Sequence, residues 1–256
     1  MELAATHIGG PTALFEWSGL RILTDPTFDP PGGKYTTGPV TLEKLAGPAL
    51  SPAELSGVDV VLLSHDHHFD NLDHAGRKFL ANARHVITTM EGAERLGRDA
   101  VGLEPWQSLE IPGANGRKLR ITAAPAQHGP ANLQRGAVIG FVAAFNDAPD
   151  SAFYFSGDTV WFGGIEEVAR QFPVRVAVLN MGAARVPAVG PFALTMTAED
   201  GVQTARVFPR ATIVPLHYEG WAHFSESKEI ISKAFAAAGV NGQVQWLRAG
   251  VAERVK

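Results

Sequence analysis

The segment Ser64-His65-Asp66-His67-His68-Phe69-Asp70-Asn71-Leu72-Asp73 concentrates the chemistry of this chain, with three imidazoles and three carboxylates between His65 and Asp73. Burying so many polar groups is costly unless each finds a partner. A metal ion partners several at once, and imidazole with carboxylate suits zinc, iron or manganese. Residues two apart on an extended segment point the same way, so His65 and His67 can converge on one ion. Three more ligand-type residues each follow an apolar stretch: His128 after 119–122, Asp158 after 152–155 and His217 after 212–214. The chain has nine histidines and no cysteine. Thiol nucleophiles, disulfides and Cys-ligated metal are therefore excluded.

A bound metal lowers the pKa of its water to about 7 and polarises a carbonyl or phosphoryl oxygen. Asp70 or Asp66 could orient that water or carry its proton. Tyr218 or His223 could stabilise an oxyanion or protonate a leaving group. Trp221 and Phe224 would wall the pocket, while Trp161 and Phe162 read as wall or core. His7, His74 and His85 read as structural or solvated.

These residues need rigid elements behind them. Short β-branched and aromatic runs predict strands over 13–17, 21–23, 58–63, 85–88, 119–122, 138–145, 152–155, 174–179, 212–214 and 244–247. Thr197-Ala198-Glu199-Asp200 fits a capping box opening a helix with a stripe of Val202, Ala205, Val207 and Phe208. Ser225 and Glu226 start a last helix, ended by Gly239. Asn71 or Asp73 caps a short helix over 74–81. Strands and helices mix along the whole chain, which predicts α/β or α+β layering in one domain over 1–256. Four strand ends carrying ligand-type residues would assemble a site at one edge of the layers.

The order Ser64-His65-Asp66-His67 with Asp70, then His128, then Ser156-Gly157-Asp158-Thr159, then Pro215-Leu216-His217-Tyr218 resembles the metallo-β-lactamase superfamily. Ile8-Gly9-Gly10-Pro11-Thr12 and Leu23-Thr24-Asp25-Pro26 resemble its ascorbate-6-phosphate lactonase-like branch. The resemblance runs from about Ile8 to about Leu247. It implies a four-layer αβ/βα sandwich, a metal site at one edge of two sheets and a metal-bound hydroxide as nucleophile. It also implies a first site of His65, His67 or His68, and His128, and a second of Asp70, Asp158 and His217. The family pattern His-x-His-x-Asp-His maps in either of two registers. One residue is inserted, and Asn71 stands nearest to the final histidine. The second site is then short of one nitrogen donor, and is expected to be weak, empty or selective for a harder ion.

Composition narrows the partners. Lys plus Arg number 22 and Asp plus Glu 26, a net charge of −4, with 45% apolar and 19% charged residues. This is a globular rather than a disordered composition. The balance disfavours nucleic acid. No apolar run approaches the roughly 18 residues of a membrane span, and Met1-Glu2-Leu3-Ala4-Ala5-Thr6-His7 lacks the features of a secretory signal. The expectation is a cytoplasmic metal-dependent hydrolase holding one or two zinc ions, with manganese or iron as alternatives. Its substrate would be a small ester, lactone or phosphodiester. Two other readings stay open: a mononuclear iron oxidoreductase, or a member that binds metal without turnover. Loops 29–42 and 182–195 would set substrate choice. Phe192 and Leu194 could line a lid or a subunit contact in a homo-oligomer.

Overall fold

A computed structural model describes residues 2–97, 100–133 and 135–256. In chain order the strands begin with β1 (Leu3–Gly9), β2 (Thr12–Trp17), β3 (Leu20–Thr24), β4 (Lys34–Thr37), β5 (Val40–Glu43), β6 (Val60–Leu62), β7 (His85–Thr89) and β8 (Ala100–Leu103). They continue with β9 (Ser108–Pro112), β10 (Lys118–Pro125), β11 (Ile139–Phe145), β12 (Ala152–Phe155), β13 (Val174–Asn180), β14 (Thr212–Leu216) and β15 (Ala252–Arg254). The helices are α1 (His74–Phe79), α2 (Met90–Leu96), α3 (Gly163–Gln171), α4 (Ala198–Val207) and α5 (Lys228–Ala237).

One sheet runs β15-β1-β2-β3-β6-β7-β8, a second runs β14-β13-β12-β11-β10-β9, and β4-β5 form a separate hairpin. Side chains alternate across each strand, and the alternation builds three cores. Phe15, Trp17, Ile22, Val60 and Leu62 of the first sheet face Phe141, Phe153, Phe155 and Val178 of the second. Leu14, Leu23, Val61 and Leu63 point the other way, against Phe79 of α1. Tyr154, Ala177 and Ile213 point away from the inter-sheet core, towards Ile165, Val202 and Phe235 of the second helical layer. The layers are therefore helix, sheet, sheet, helix, as the resemblance implies. Both faces of β6 are covered, which explains why 60–63 reads as one apolar run rather than an alternating one.

The capping box holds: Thr197 Oγ1 accepts from Asp200 N–H, and Asp200 accepts from Thr197 N–H. Asp73, not Asn71, caps α1 by accepting from Gly76 N–H at 2.8 Å. The last helix starts after Ser227 rather than Ser225. The expected strand over 244–247 is absent. Val244 follows a turn at Asn241–Gln243 and makes one isolated bridge to Ile213. Its apolar residues Val244 and Trp246 instead pack on the helical-layer core.

Candidate metal centre

Four strand ends meet at one edge of the sandwich. β6 leads to His65, His67 and His68, β10 to His128, β12 to Asp158 and β14 to His217. The two sheets are joined there by Ile139 N–H donating to Ser64 O at 3.1 Å. The turn into Asp158 requires glycine: at Gly157 φ is +57°, and a Cβ would stand 2.6 Å from Ile139 O and 2.7 Å from the Ser64 Cβ. His217 takes a left-handed φ of 55°, a costly conformation for a non-glycine residue. Its N–H donates to Gly10 O at 2.9 Å, which brings the Gly9-Gly10 turn against the site.

Hydrogen bonds fix which nitrogens carry lone pairs. Ser64 Oγ donates to Asp25 Oδ2 at 2.7 Å and so accepts from His65 Nδ1–H at 2.9 Å. His128 Nδ1–H donates to Leu194 O at 2.8 Å. The Nε2 atoms of both rings are therefore unprotonated, and both face His68 Nδ1, at 2.8 and 3.2 Å. His67 Nε2–H donates to Arg135 O at 2.7 Å, which leaves its Nδ1 as a lone pair. Asp158 Oδ2 lies 4.0 Å from His128 Nε2. On the other side, His217 stands 3.1 Å from Asp158 Oδ1 and 3.6 Å from Asp70 Oδ2. His65, His128 and Asp158 thus form one three-ligand group, His65, His67 and His68 another, and Asp70, Asp158 and His217 a third.

The electrostatics suit a cation. Burial, then the neighbouring imidazoles, hold His65 and His68 well below the usual imidazole range, and burial also lowers His67 and His128. Burial by itself raises the Asp158 carboxyl. The charges of His217, His128 and His65 outweigh it and hold the group well below its ordinary value. Asp70 behaves likewise, raised by burial but brought below the ordinary carboxylate value by His223 and His217. Several buried ligand-type atoms lack any hydrogen-bond partner: His67 Nδ1, Asp158 Oδ2 and both ring nitrogens of His217. Orphaned groups at this density are costly. One or two divalent ions satisfy His67 Nδ1, Asp158 Oδ2 and one ring nitrogen of His217, whose other nitrogen keeps its proton beside a carboxylate, so the residues fit a metal.

The expected residues divide clearly. His65, His67, His68, Asp70, His128, Asp158 and His217 come together. His223 joins them, its Nε2 donating to Asp70 Oδ2 at 3.0 Å. Asp66 does not: Arg95 grips both its oxygens and Arg77 adds a second cation at 3.7 Å. That pairing removes it as a base at the centre and makes it an anchor for the loop. Tyr218 turns into the helical-layer core, its ring edge-on to Trp246. It is thereby removed as an acid or oxyanion donor. Trp161 and Phe162 pack on the same core. Phe224 borders the site edge-on to His217, whereas Trp221 packs against Tyr35.

Asn71, nearest to the missing histidine, keeps its Oδ1 without a hydrogen-bond partner among the described residues. Its Nδ2–H donates to Asp25 Oδ2 at 3.0 Å and to Asp158 Oδ1 at 3.2 Å, so it orients the carboxylate. Asn180, unexpected from the sequence, does the same from the end of β13, at 2.8 Å. Asp25 and Arg135 are the other unexpected residues. The strand-end position was the available signal for Asn180, whereas Arg135 sits in a loop with no pattern to mark it.

A family model described as "Beta-lactamase superfamily domain" matches residues 20–218. The chain belongs to the metallo-β-lactamase superfamily. Protein YddR of Bacillus subtilis is 27% identical over 257 residues, covering 93% of this chain and 94% of its own. A protein named as a metal-dependent hydrolase in Caldivirga maquilingensis is 28% identical over 218 residues, covering 84% and 81%. Among solved structures, the isothiocyanate hydrolase from Delia radicum gut bacteria superposes with a TM-score of 0.81 at 23% identity, covering 98% of each chain. That likeness is one of fold.

Proposed function

We propose that this superfamily member is a metal-dependent hydrolase acting on a small ester, lactone or phosphodiester. The observation that carries this reading is the convergence of two imidazole lone pairs, His65 Nε2 and His128 Nε2, beside the orphaned Asp158 Oδ2 and His217. These atoms lie beside a cavity of about 370 Å³ lined by His67, His68, Asp70, His128 and His223. His65, His128 and one of His67 and His68 would hold a first zinc ion, and Asp70, Asp158 and His217 a second. When bound, such an ion supplies Lewis acidity and lowers the pKa of a water molecule at its open position.

The remaining work falls to the chain's own residues. Asp70 stays ionised and accepts from His223 Nε2–H, which orients the ring and leaves the unpartnered Nδ1 of His223 to take up a proton and pass it to a leaving group. Asn71 and Asn180 aim Asp158. The apolar wall excludes bulk water and strengthens each polar contact inside it. The resemblance of 8–12 and 23–26 to the lactonase-like branch supports a lactone, and the relatives' names support hydrolysis. The protein is further proposed to be cytoplasmic, to act on a small molecule rather than nucleic acid, and to admit a homo-oligomer. No helix among the described residues is long and apolar enough to cross a membrane.

The donor set also suits iron, so the test must separate hydrolysis from oxygen chemistry. Under argon, purified protein should cleave members of an ester, lactone and phosphodiester panel. Activity should vanish with chelator and return with zinc. Turnover that requires oxygen, or that survives complete metal removal, contradicts the proposal.

A further inference from the structure

Arg135 combines three features that its neighbours do not explain. It is half-buried at the wall of the cavity beside the metal centre. Its Nε has no hydrogen-bond partner, and among the described residues no carboxylate lies within ion-pairing distance of its guanidinium. Among the described residues its one side-chain hydrogen bond is Nη2 donating to His68 Nε2 at 3.2 Å. Burial lowers its pKa, and the carboxylates that offset this, Asp70 and Asp158, act from beyond ion-pairing distance, so the cation is only partly compensated, which is an expensive arrangement. The cost is recovered when a ligand brings the anion, and a guanidinium presents its donors in a fork that matches a carboxylate.

The rest of the cavity says what that ligand looks like. Tyr35, Val40 and Leu42 come from the β4–β5 hairpin, and Val186, Val189 and Leu194 from the loop facing it. This wall offers a hydrocarbon surface and few hydrogen-bond partners. A sugar body would leave its hydroxyls unpaired against it.

We infer that Arg135 selects a substrate bearing an acidic group on an apolar body, with the hydrocarbon part seated between the hairpin and the 182–195 loop. This rests on the reading of the cluster as the active site and narrows its substrate class. Orientation follows: the acidic group sits at Arg135 beside His68, and the bond to be cleaved lies towards His65 and His128.

A binding measurement tests this without turnover, so an absence of hydrolysis would count against the hydrolase reading and not against this one. Phenylacetate and phenylacetamide share shape and differ in charge. Calorimetric titration of each into zinc-loaded protein should show the acid bound at least about tenfold more tightly, the value of one charge-assisted contact. Arg135→Gln should abolish that preference, leaving phenylacetamide affinity and zinc content unchanged. Arg135→Lys should keep part of it. The inference is overturned if Arg135→Gln retains the preference, since the metal then reads the carboxylate. It is also overturned if the preference disappears together with the bound zinc, since Arg135 then acts only through His68.

Discussion

Asp25 lies behind the metal centre, yet three hydrogen bonds converge on it: Ser64 N–H at 2.7 Å, Ser64 Oγ–H at 2.7 Å and Asn71 Nδ2–H at 3.0 Å. Through Ser64 it sets the His65 tautomer, and through Asn71 it helps to hold Asp158. Burial pushes its carboxyl up to about 7. Asp25→Asn puts amide hydrogens where acceptors are needed, so metal affinity should fall about 10- to 100-fold, as for other outer partners of metal ligands. Chelator competition reads this directly, and an unchanged affinity would remove Asp25 from the account. At this scale the sequence was legible wherever residue types cluster. His65 to Asp73 announces itself by composition, and His128, Asp158 and His217 by following apolar runs. Asp66 and His68 show the limit. Their neighbours in sequence are equally polar, and only the distant Arg95 and His128 decide which one leaves the centre and which one enters it. Arg135 carries no local pattern at all, and Asn180 only its place at the end of a strand.

The loop that carries the cluster is fastened at its far end by one carboxylate. Asp73 caps α1, accepts from Phe28 N–H at 2.9 Å and Asp29 N–H at 2.7 Å, and pairs with the buried Lys44 at 2.7 Å. Asp73→Ala leaves Lys44 charged and unpaired in the interior, which should cost on the order of 3–5 kcal/mol. It also frees the chain on which Asp70 sits. Urea denaturation should show that loss, and Lys44→Met added to Asp73→Ala should recover a large part of it. Equal stability of the Asp73→Ala single variant and the wild type would contradict the fastening role. Central strands were readable as elements because both of their faces are buried: β6, β11 and β12 are continuous apolar runs. The edge strand β14 was readable too, but the edge strands β9 and β15 were not. β9 and β15 present mostly exposed residues, so neither alternation nor hydrophobicity marks them. α3 opens on Gly163-Gly164, which masks its start.

For the molecule as a whole, the buried imidazoles couple folding to pH. Burial lowers His7, His65, His67, His68 and His128 in the folded chain. Below about 6.5 the unfolded chain binds protons that these groups refuse when folded, so their contribution is full above that value and is lost as the pH falls through it. His217 is raised, and its contribution runs the other way. Asp25, raised to about 7, also opposes the trend because only the folded chain protonates it above the ordinary carboxylate range. Five groups outweigh two, so the melting temperature of metal-free protein should drop between pH 7.5 and 5.5. A flat or rising profile would mean that the imidazoles are not held neutral. The layered architecture follows from alternation and burial, but convergence of His65 with His128 depends on the pairing of two sheets across long stretches of chain, which no local pattern encodes. The central claim is that this convergence holds a catalytic metal. Elemental mass spectrometry of protein purified without chelator tests it most directly, in the wild type and in His65→Ala and His128→Ala. The wild type should retain about one or more zinc ions per chain, and both variants should lose the ion at the first site while remaining folded. A wild type with no stoichiometric metal, or variants with undiminished content, would contradict it.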